Sequence, residues 1–319
     1  MRAFARVLFR TTTLMRSEWD EKGPMNRQDE LNVIRAAYAK QILAAAWVVG
    51  NARLEVALSA TRREDFLGAG PWWILRGFGD YRTTPEADPV YLYTNDLVGI
   101  MPERKLNNGQ PSLHAHLIHE AGPAAGEHVV HIGAGTGYYT AILAHLVGRS
   151  GRVTGIEYEP ELATRAKTNF AAYPNVEIVE GDGTLVSFDE ADVIYVNAGC
   201  TRPAENWLDR LADGGRLILP MTSDQGFLAN APERVARAGG VFRIERRGKD
   251  YLAYWISGVA IFPCVGSRDE VSERALADAF AKGAAGRRSR VSIAIRRFPR
   301  SVAGFADRDG VSPTTNMLE

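Results

Sequence analysis

The sequence predicts an α/β fold: a mostly parallel sheet covered by helices on both faces, preceded by a small N-terminal region and followed by an extension. Three observations predict it. From Glu127 onward, short apolar runs alternate with helical segments, the pattern of strands linked by crossover helices. The first of those runs leads directly into a glycine-rich turn. The stretch Gly68–Asn108 instead holds many Gly, Pro, Trp and Tyr residues and few periodic runs.

Met1–Ser17 carries Arg2, Arg6, Arg10 and Arg16 with no acid, and Thr11–Thr13. It reads as a transit peptide or as an upstream start or frayed arm, so 1–24 stand apart as a leader. From Asn26 to about Val49, Leu31, Ile34, Tyr38, Ile42, Leu43 and Ala46 recur at helical spacing. A second helix is expected over Arg53–Ser59, then loops and short strands to Asn108. Strands are expected at Val129–Ile132, Val153–Ile156, Val176–Val179, Val193–Val196 and Leu217–Leu219. Between them, Tyr139–Val147, Pro160–Ala172 and Ala204–Leu211 read as helices. Val241–Arg246 and Tyr251–Pro263 read as strands closing the sheet. Beyond them, Asp269–Lys282 is an amphipathic helix and Gly283–Gly286 a linker. Val291, Ile293 and Ile295 alternate as a half-buried strand, and Ser301–Glu319 reads as a tail.

The chain has 319 residues, with 38 basic and 38 acidic side chains. Zero net charge argues against a whole-protein attraction to nucleic acid or anionic membrane. The balance is uneven: Met1–Ser17 and Gly283–Arg300 carry Arg and no acid, which leaves the body acidic. Two cysteines, Cys200 and Cys264, exclude a disulfide scaffold and fit a reducing, cytoplasmic setting. No apolar run is long enough for a transmembrane helix.

The strongest local signal is His131-Ile132-Gly133-Ala134-Gly135-Thr136-Gly137, between an apolar strand and a helix. Glycines there let the backbone turn sharply and approach a ligand. The next strand ends in Glu157, about 20 residues further on, where a carboxylate accepts ribose hydroxyls. The third strand ends in Glu180-Gly181-Asp182-Gly183. Asp182 reads as an acceptor for an adenine amino group or as a plain Asp-Gly turn. The spacing is Gly-x-Gly-x-Gly, followed by Tyr138 and Tyr139, tighter than the pyrophosphate-binding form. It suits a ligand with adenosine and no diphosphate, such as S-adenosylmethionine.

Val129–Ala141, Glu157, the Gly-Asp-Gly turn and Asp192–Pro220 resemble class I S-adenosylmethionine-dependent methyltransferases, and more narrowly protein-L-isoaspartate O-methyltransferases. Asp213–Pro220 is similar to that family's approach to its fifth strand. Thr61-Arg62-Arg63-Glu64-Asp65-Phe66 is similar to its Pro-Arg-Glu-x-Phe landmark, and Ile261-Phe262-Pro263-Cys264 to its terminal strand. The resemblance spans roughly Gln28–Gly266. It implies a Rossmann-like methyltransferase domain over 113–266 and an N-terminal subdomain over 25–112 that covers cofactor and substrate, with 267–319 as the extension. It also implies S-adenosylmethionine contacts at Asn108, His114, His131, Gly133, Ala134, Gly135, Gly137, Tyr138, Glu157, Tyr158, Asp182, Gly183 and Asn197. Gly109, Gln110 and Ser112 would lie at the catalytic position. Family members carry a catalytic Ser where this chain has Gly109, so a Gly109→Ser change is expected to raise isoaspartyl activity. His131 replaces an acid of the family pattern, and Asn197 stands where a small residue is usual.

The implied activity is O-methylation of a protein or peptide carboxylate. A carboxylate is ionised at neutral pH and needs no general base; an amine or phenol would benefit from one, for which His114, His116 or His131 is available. A different small molecule or modified peptide, and a catalytically silent cofactor-binding module, stand as alternatives. The spacing His114-x-His116-x-x-His119 does not converge on one helix face, so no metal site is expected. Trp72, Trp73, Tyr81, Tyr91 and Tyr93 read as a binding groove or as a subdomain core. The cluster Arg287, Arg288, Arg290, Arg296, Arg297 and Arg300 reads as a surface for an acidic partner or a solvated strand edge.

Overall fold

The computed structural model describes residues 25–77, 80–223, 239–283 and 293–296. The leader, the linker after Gly283, the tail from Ser301 and most of the Arg cluster lie outside the described residues.

Three helices open the described chain: α1 (Arg27–Ala45), α2 (Ala52–Ala60) and α3 (Glu64–Leu67). Asn26 caps α1 by accepting from the Asp29 N–H at 3.0 Å, and Asn51 caps α2 by accepting from Leu54. Each satisfies one of the donors a helix start leaves open. A four-stranded antiparallel sheet follows, in the order β2-β1-β3-β4: β1 (Trp73–Leu75), β2 (Arg82–Thr83), β3 (Leu97–Met101) and β4 (Leu106–Asn107). Its own small core is Leu67, Trp72, Leu92 and Val98. Trp72 and Tyr93 are buried, whereas Trp73 is exposed. The aromatic set therefore divides between core and surface.

The main sheet has the order β12-β11-β10-β9-β8-β5-β6-β7. Its strands are β5 (His128–Ile132), β6 (Arg152–Glu157), β7 (Val176–Glu180), β8 (Ala191–Val196), β9 (Leu211–Thr222), β10 (Gly239–Arg247), β11 (Asp250–Gly258) and β12 (Ile293–Arg296). The run β9-β8-β5-β6-β7 is parallel; β10, β11 and β12 pair antiparallel. The strand expected to run to Pro263 ends at Gly258, and only an isolated bridge, Gly199 to Pro263, persists beyond it. The strand expected at Leu217–Leu219 is longer, because its N-terminal part crosses the Asp213-Gly214-Gly215 irregularity and still pairs with β8 at Ala191.

Five further helices complete the fold: α4 (Pro111–Ala121), α5 (Tyr138–Val147), α6 (Pro160–Asn169), α7 (Glu205–Arg210) and α8 (Glu270–Gly283). Side chains alternate across the sheet with period two. Val129, Val193, Tyr195 and Ile218 face a core shared with α1, α2, α4 and α5. Val130, Ile132, Ile194, Leu217 and Leu219 face the opposite core with Trp207 of α7 and Leu276 of α8. Both faces are thus apolar, which is why the central strands read as continuous hydrophobic runs. No helix among the described residues is long and apolar enough to cross a membrane.

The Thr61–Phe66 segment is a buried polar brace. Arg63, fully buried, donates to the Tyr38 hydroxyl at 2.9 Å and to the Thr94 carbonyl at 3.1 Å, and its guanidinium lies over the Tyr38 and Tyr138 rings. Arg35 pairs with Glu64 at 3.2 Å, and Glu64 also accepts from Tyr93. Arg35 and Glu64 are matched, as burial requires, whereas Arg63 Nε and Nη2 have no hydrogen-bond partner among the described residues; the landmark fastens the helices to the small sheet.

Candidate active site

Chain progression reverses between β5 and β8, since β6 and β7 extend the sheet one way and β8 and β9 the other. Ligands of open α/β sheets bind outside the carboxyl ends of the strands at such a switch point. The glycine turn leaves β5 there. Gly133, Gly135 and Gly137 have φ of 75°, 58° and 99°, values that side chains with a Cβ disfavour. A Cβ on Gly137 would overlap the Phe170 ring, and Gly135 lies under Ile100 of β3. The small sheet therefore sits over the glycine turn.

Glu157 ends β6 and is buried. Its carboxylate accepts from the Gly135 N–H at 2.6 Å and from the Glu159 N–H at 2.9 Å. Burial nonetheless raises its pKa above the ordinary carboxylate value. At the end of β7, Asp182 accepts from the Thr184 N–H and hydroxyl at 2.8 and 2.7 Å. Gly183 backs onto Ile132, and its carbonyl accepts from the Trp207 indole at 2.8 Å. After β8, the Asn197 N–H donates to Ile132 at 2.8 Å and its Nδ2 to Gly133 at 3.3 Å. Gly133, Ala134, Gly135, Gly137, Glu157, Asp182, Gly183 and Asn197 thus gather around one end of the sheet. Tyr158 stands half exposed beside them.

Two of the expected cofactor contacts lie elsewhere. His131 projects from β5 into the helical core, not toward the crevice: it is fully buried, its Nδ1 meets the Thr140 hydroxyl at 2.8 Å, and its ring packs edge-on to Tyr195. Alternation along the strand gives the reason, since Ile132 takes the other face. Tyr138 is also fully buried, edge-on to Phe66 and under the Arg63 guanidinium.

The segment before α4 forms a second group. Asn108 is buried; its N–H donates to Val98 at 2.8 Å, while its Nδ2 has no partner among the described residues. Gly109 has φ of 73°, and its N–H donates to the Asn107 side chain at 2.9 Å. Gln110 is exposed and caps α4 without a side-chain bond. The Ser112 N–H donates to Asn95 at 2.8 Å. His114 is buried under Gly109, stacked on Tyr139 with centroids 3.7 Å apart, and its Nδ1 meets the Tyr195 hydroxyl at 2.7 Å. A Cβ on Gly109 would overlap His114 Nε2. This geometry revises the expectation for Gly109→Ser: the space a serine side chain needs is filled by an imidazole, and the backbone is left-handed.

Burial drives both histidines down to a pKa of about 3, with His131 and the Arg63 charge adding to the effect on His114. Both are neutral at neutral pH. His119 is engaged separately, with Asn51 at 3.0 Å, and among the described residues no three His, Cys, Asp or Glu side chains are placed to hold a metal. Sequence reasoning missed Ile100, Tyr195 and Gly266. Tyr195 is the one polar-tipped residue in the apolar run of β8, a signal that was available; Ile100 carries none, because its place depends on how the small sheet docks.

The family model for protein-L-isoaspartate(D-aspartate) O-methyltransferase matches residues 85–239. The Thr61–Phe66 and Ile261–Cys264 landmarks fall outside that match. A protein-L-isoaspartate O-methyltransferase of Methanococcus maripaludis is 33% identical over 151 residues, 45% of this chain and 68% of that protein. The corresponding enzyme 2 of Archaeoglobus fulgidus is 41% identical over 100 residues, 30% and 46% of the two chains, and that of Thermotoga maritima 37% over 123 residues, 37% and 39%. The chain thus spans less than half the length of these last two relatives. Among solved structures, a protein-L-isoaspartate O-methyltransferase superposes with a TM-score of 0.54 at 23% identity, covering 74% of this chain and 69% of that one. A Plasmodium falciparum protein of the same type, solved with S-adenosyl-L-homocysteine, gives 0.55 at 16% identity, covering 72% and 97%. With the glycine turn, Glu157 and the sheet order in place, these likenesses settle the assignment: the chain belongs to the protein-L-isoaspartate O-methyltransferase family.

Proposed function

We propose that this protein transfers the methyl group of S-adenosylmethionine to a carboxylate of a protein or peptide. The residues at the carboxyl ends of the strands fit such a cofactor. Gly133 and Gly135 leave backbone open for close approach, Glu157 offers a carboxylate fixed by two N–H groups, and Asn108 holds an unpartnered buried donor. In this reading Glu157 takes the ribose hydroxyls, the Asp182-Gly183 turn the adenine, and the glycine turn with Asn197 the methionine end. Asn108, Gln110 and His114 close the site.

The cofactor supplies a methyl already activated by its sulfonium, so the chain's own task is alignment of acceptor, methyl and sulfur. The observation that carries the carboxylate reading is His114, buried beneath Gly109 with its Nδ1 engaged by the Tyr195 hydroxyl. With a pKa of about 3 it is a weak base, and an amine or phenol would find little help there in losing its proton. A carboxylate has none to lose at neutral pH.

Gly109 favours a second reading, a carboxylate other than the isoaspartyl one, since the hydroxyl of the family pattern is absent and its space is filled. Calorimetry with S-adenosylmethionine tests the cofactor; absence of binding at millimolar ligand would sink both readings. Methanol release from isoaspartyl peptides, aspartyl peptides and modified peptides then separates the acceptors. Cofactor binding with no methanol from any of them would leave a silent module.

A further inference from the structure

We infer that Cys200 and Cys264 are an oxidisable dithiol that closes to a reversible intrachain disulfide, taking a hydroperoxide as its oxidant. They are the two cysteines of the chain and lie 64 positions apart, on segments the fold brings side by side. The Gly199 N–H donates to the Phe262 carbonyl at 2.6 Å, and the Cys264 N–H to the Gly199 carbonyl at 2.8 Å. This is a parallel bridge centred on Gly199 and Pro263. The next residue on each segment is a cysteine, so the two face each other across adjacent strands with side chains on the same side. Adjacent strands run about 4.8 Å apart, inside the Cα separation of roughly 4.4–6.8 Å that a disulfide accepts. Both side chains belong to one buried cluster, with Met221, Trp207 and Leu276.

The surroundings differ for the two sulfurs. Burial pushes the Cys200 thiol well up. The Cys264 thiol is drawn below its ordinary value by its hydrogen bond with Cys200, with Arg268 adding to the effect. Arg268 is fixed in place by the Gly199 and Thr222 carbonyls at 2.9 and 3.0 Å and by Glu273 at 2.7 Å. Cys264 is also the less buried of the two, 6% exposed against 0%, so an oxidant meets it first: Cys264 is the nucleophile and Cys200 the resolving thiol. The Cys264 thiolate attacks one peroxide oxygen; the S–O bond forms, the O–O bond breaks, and the departing oxygen leaves as water (or as the alcohol) after taking a proton. Cys200 sulfur then displaces hydroxide from the sulfenic sulfur, and that hydroxide leaves as water with the Cys200 proton. Two thiols are oxidised by two electrons and one peroxide is reduced.

The bond would tie the exit of β8 to the segment after β11. That segment also reaches the nucleotide side of the sheet, since a Cβ on Gly266 would overlap the Asp182 carboxylate. The inference stands on the backbone bridge and does not depend on the methyltransferase reading.

The test treats the folded, reduced full-length chain with hydrogen peroxide, alkylates it under denaturing conditions and weighs it. Two alkylatable thiols should fall to none, with a loss of about 2 Da before alkylation and no covalent dimer on a non-reducing gel; dithiothreitol should restore both thiols. The Cys200→Ser chain, checked for folding by circular dichroism, should trap a sulfenic acid at Cys264. Two unchanged thiols, oxygen addition without the 2 Da loss, or a dimer that replaces the intrachain product would each overturn the inference.

Discussion

The two halves of the site are built differently. On the side proposed for the nucleotide, Gly133–Gly137, Glu157 and Asp182 stand at the ends of three successive strands, and their bonds join backbone groups to the Glu157 and Asp182 carboxylates. On the side proposed for the acceptor, Gly109, His114, Tyr139 and Tyr195 come from a loop, two helices and a strand, and meet through packing. The first half is a local motif repeated on a common scaffold. The second is assembled from segments distant in sequence and holds Gly109, one of the three departures from the family pattern. At Gly109 the space a side chain would take is filled by the His114 imidazole, neutral at neutral pH.

Substitutions in each half should break that contrast in different ways. The largest loss of stability is expected for Gly137→Ala, which meets both a left-handed φ and the Phe170 ring; urea unfolding should lose about 3 kcal/mol. Glu157→Ala removes a carboxylate held in place by two N–H groups. Calorimetry should show S-adenosylmethionine affinity falling by roughly 30- to 100-fold, about 2–3 kcal/mol of charge-assisted bonding. Unchanged affinity would move the ribose site elsewhere.

Gly109→Ser should cost about 1–3 kcal/mol of stability through its clash with His114 and its backbone strain, with no gain in methanol release from isoaspartyl peptides. A gain would show that His114 yields and that the hydroxyl alone was missing.

Stability should also depend on pH through the buried histidines. Unfolded imidazoles bind a proton near pH 6.5, whereas the folded His114 and His131 do so only near 3. Between these values the unfolded state holds more protons, so stability is full above about pH 6.5 and falls as pH drops toward 3. The expected slope is about 1 kcal/mol per pH unit or more, read from urea midpoints between pH 7 and 5; a flat profile would mean that both histidines gain water or a proton in the folded chain. Tyr195→Phe should have the smallest effect, about 1 kcal/mol, by leaving His114 Nδ1 unpartnered.

Much of the fold was legible in advance. Apolar runs located every parallel strand, because strands buried on both faces cannot hide their composition. The positions of Glu157, from its spacing after the glycine turn, and of the Asp182 turn, from its place after the third apolar run, were legible as strand ends. His131 and Tyr138 were misplaced for the opposite reason. A residue beside a motif shares its sequence neighbourhood, but strand alternation and helix phase send it to another face. The pairing of Cys200 with Cys264 left no trace in the sequence, since a single bridge between two irregular segments creates it.

By itself the sequence determined the alternation of strands and helices, the glycine turn and its acidic partner, and the family, because each depends on residues near one another in the chain. Tertiary structure alone decided that the small sheet lies over the glycine turn, that two histidines are buried and neutral, and that Gly109 has no room for a side chain. Those outcomes depend on which surfaces meet across long stretches of chain, and on the desolvation that follows when they do.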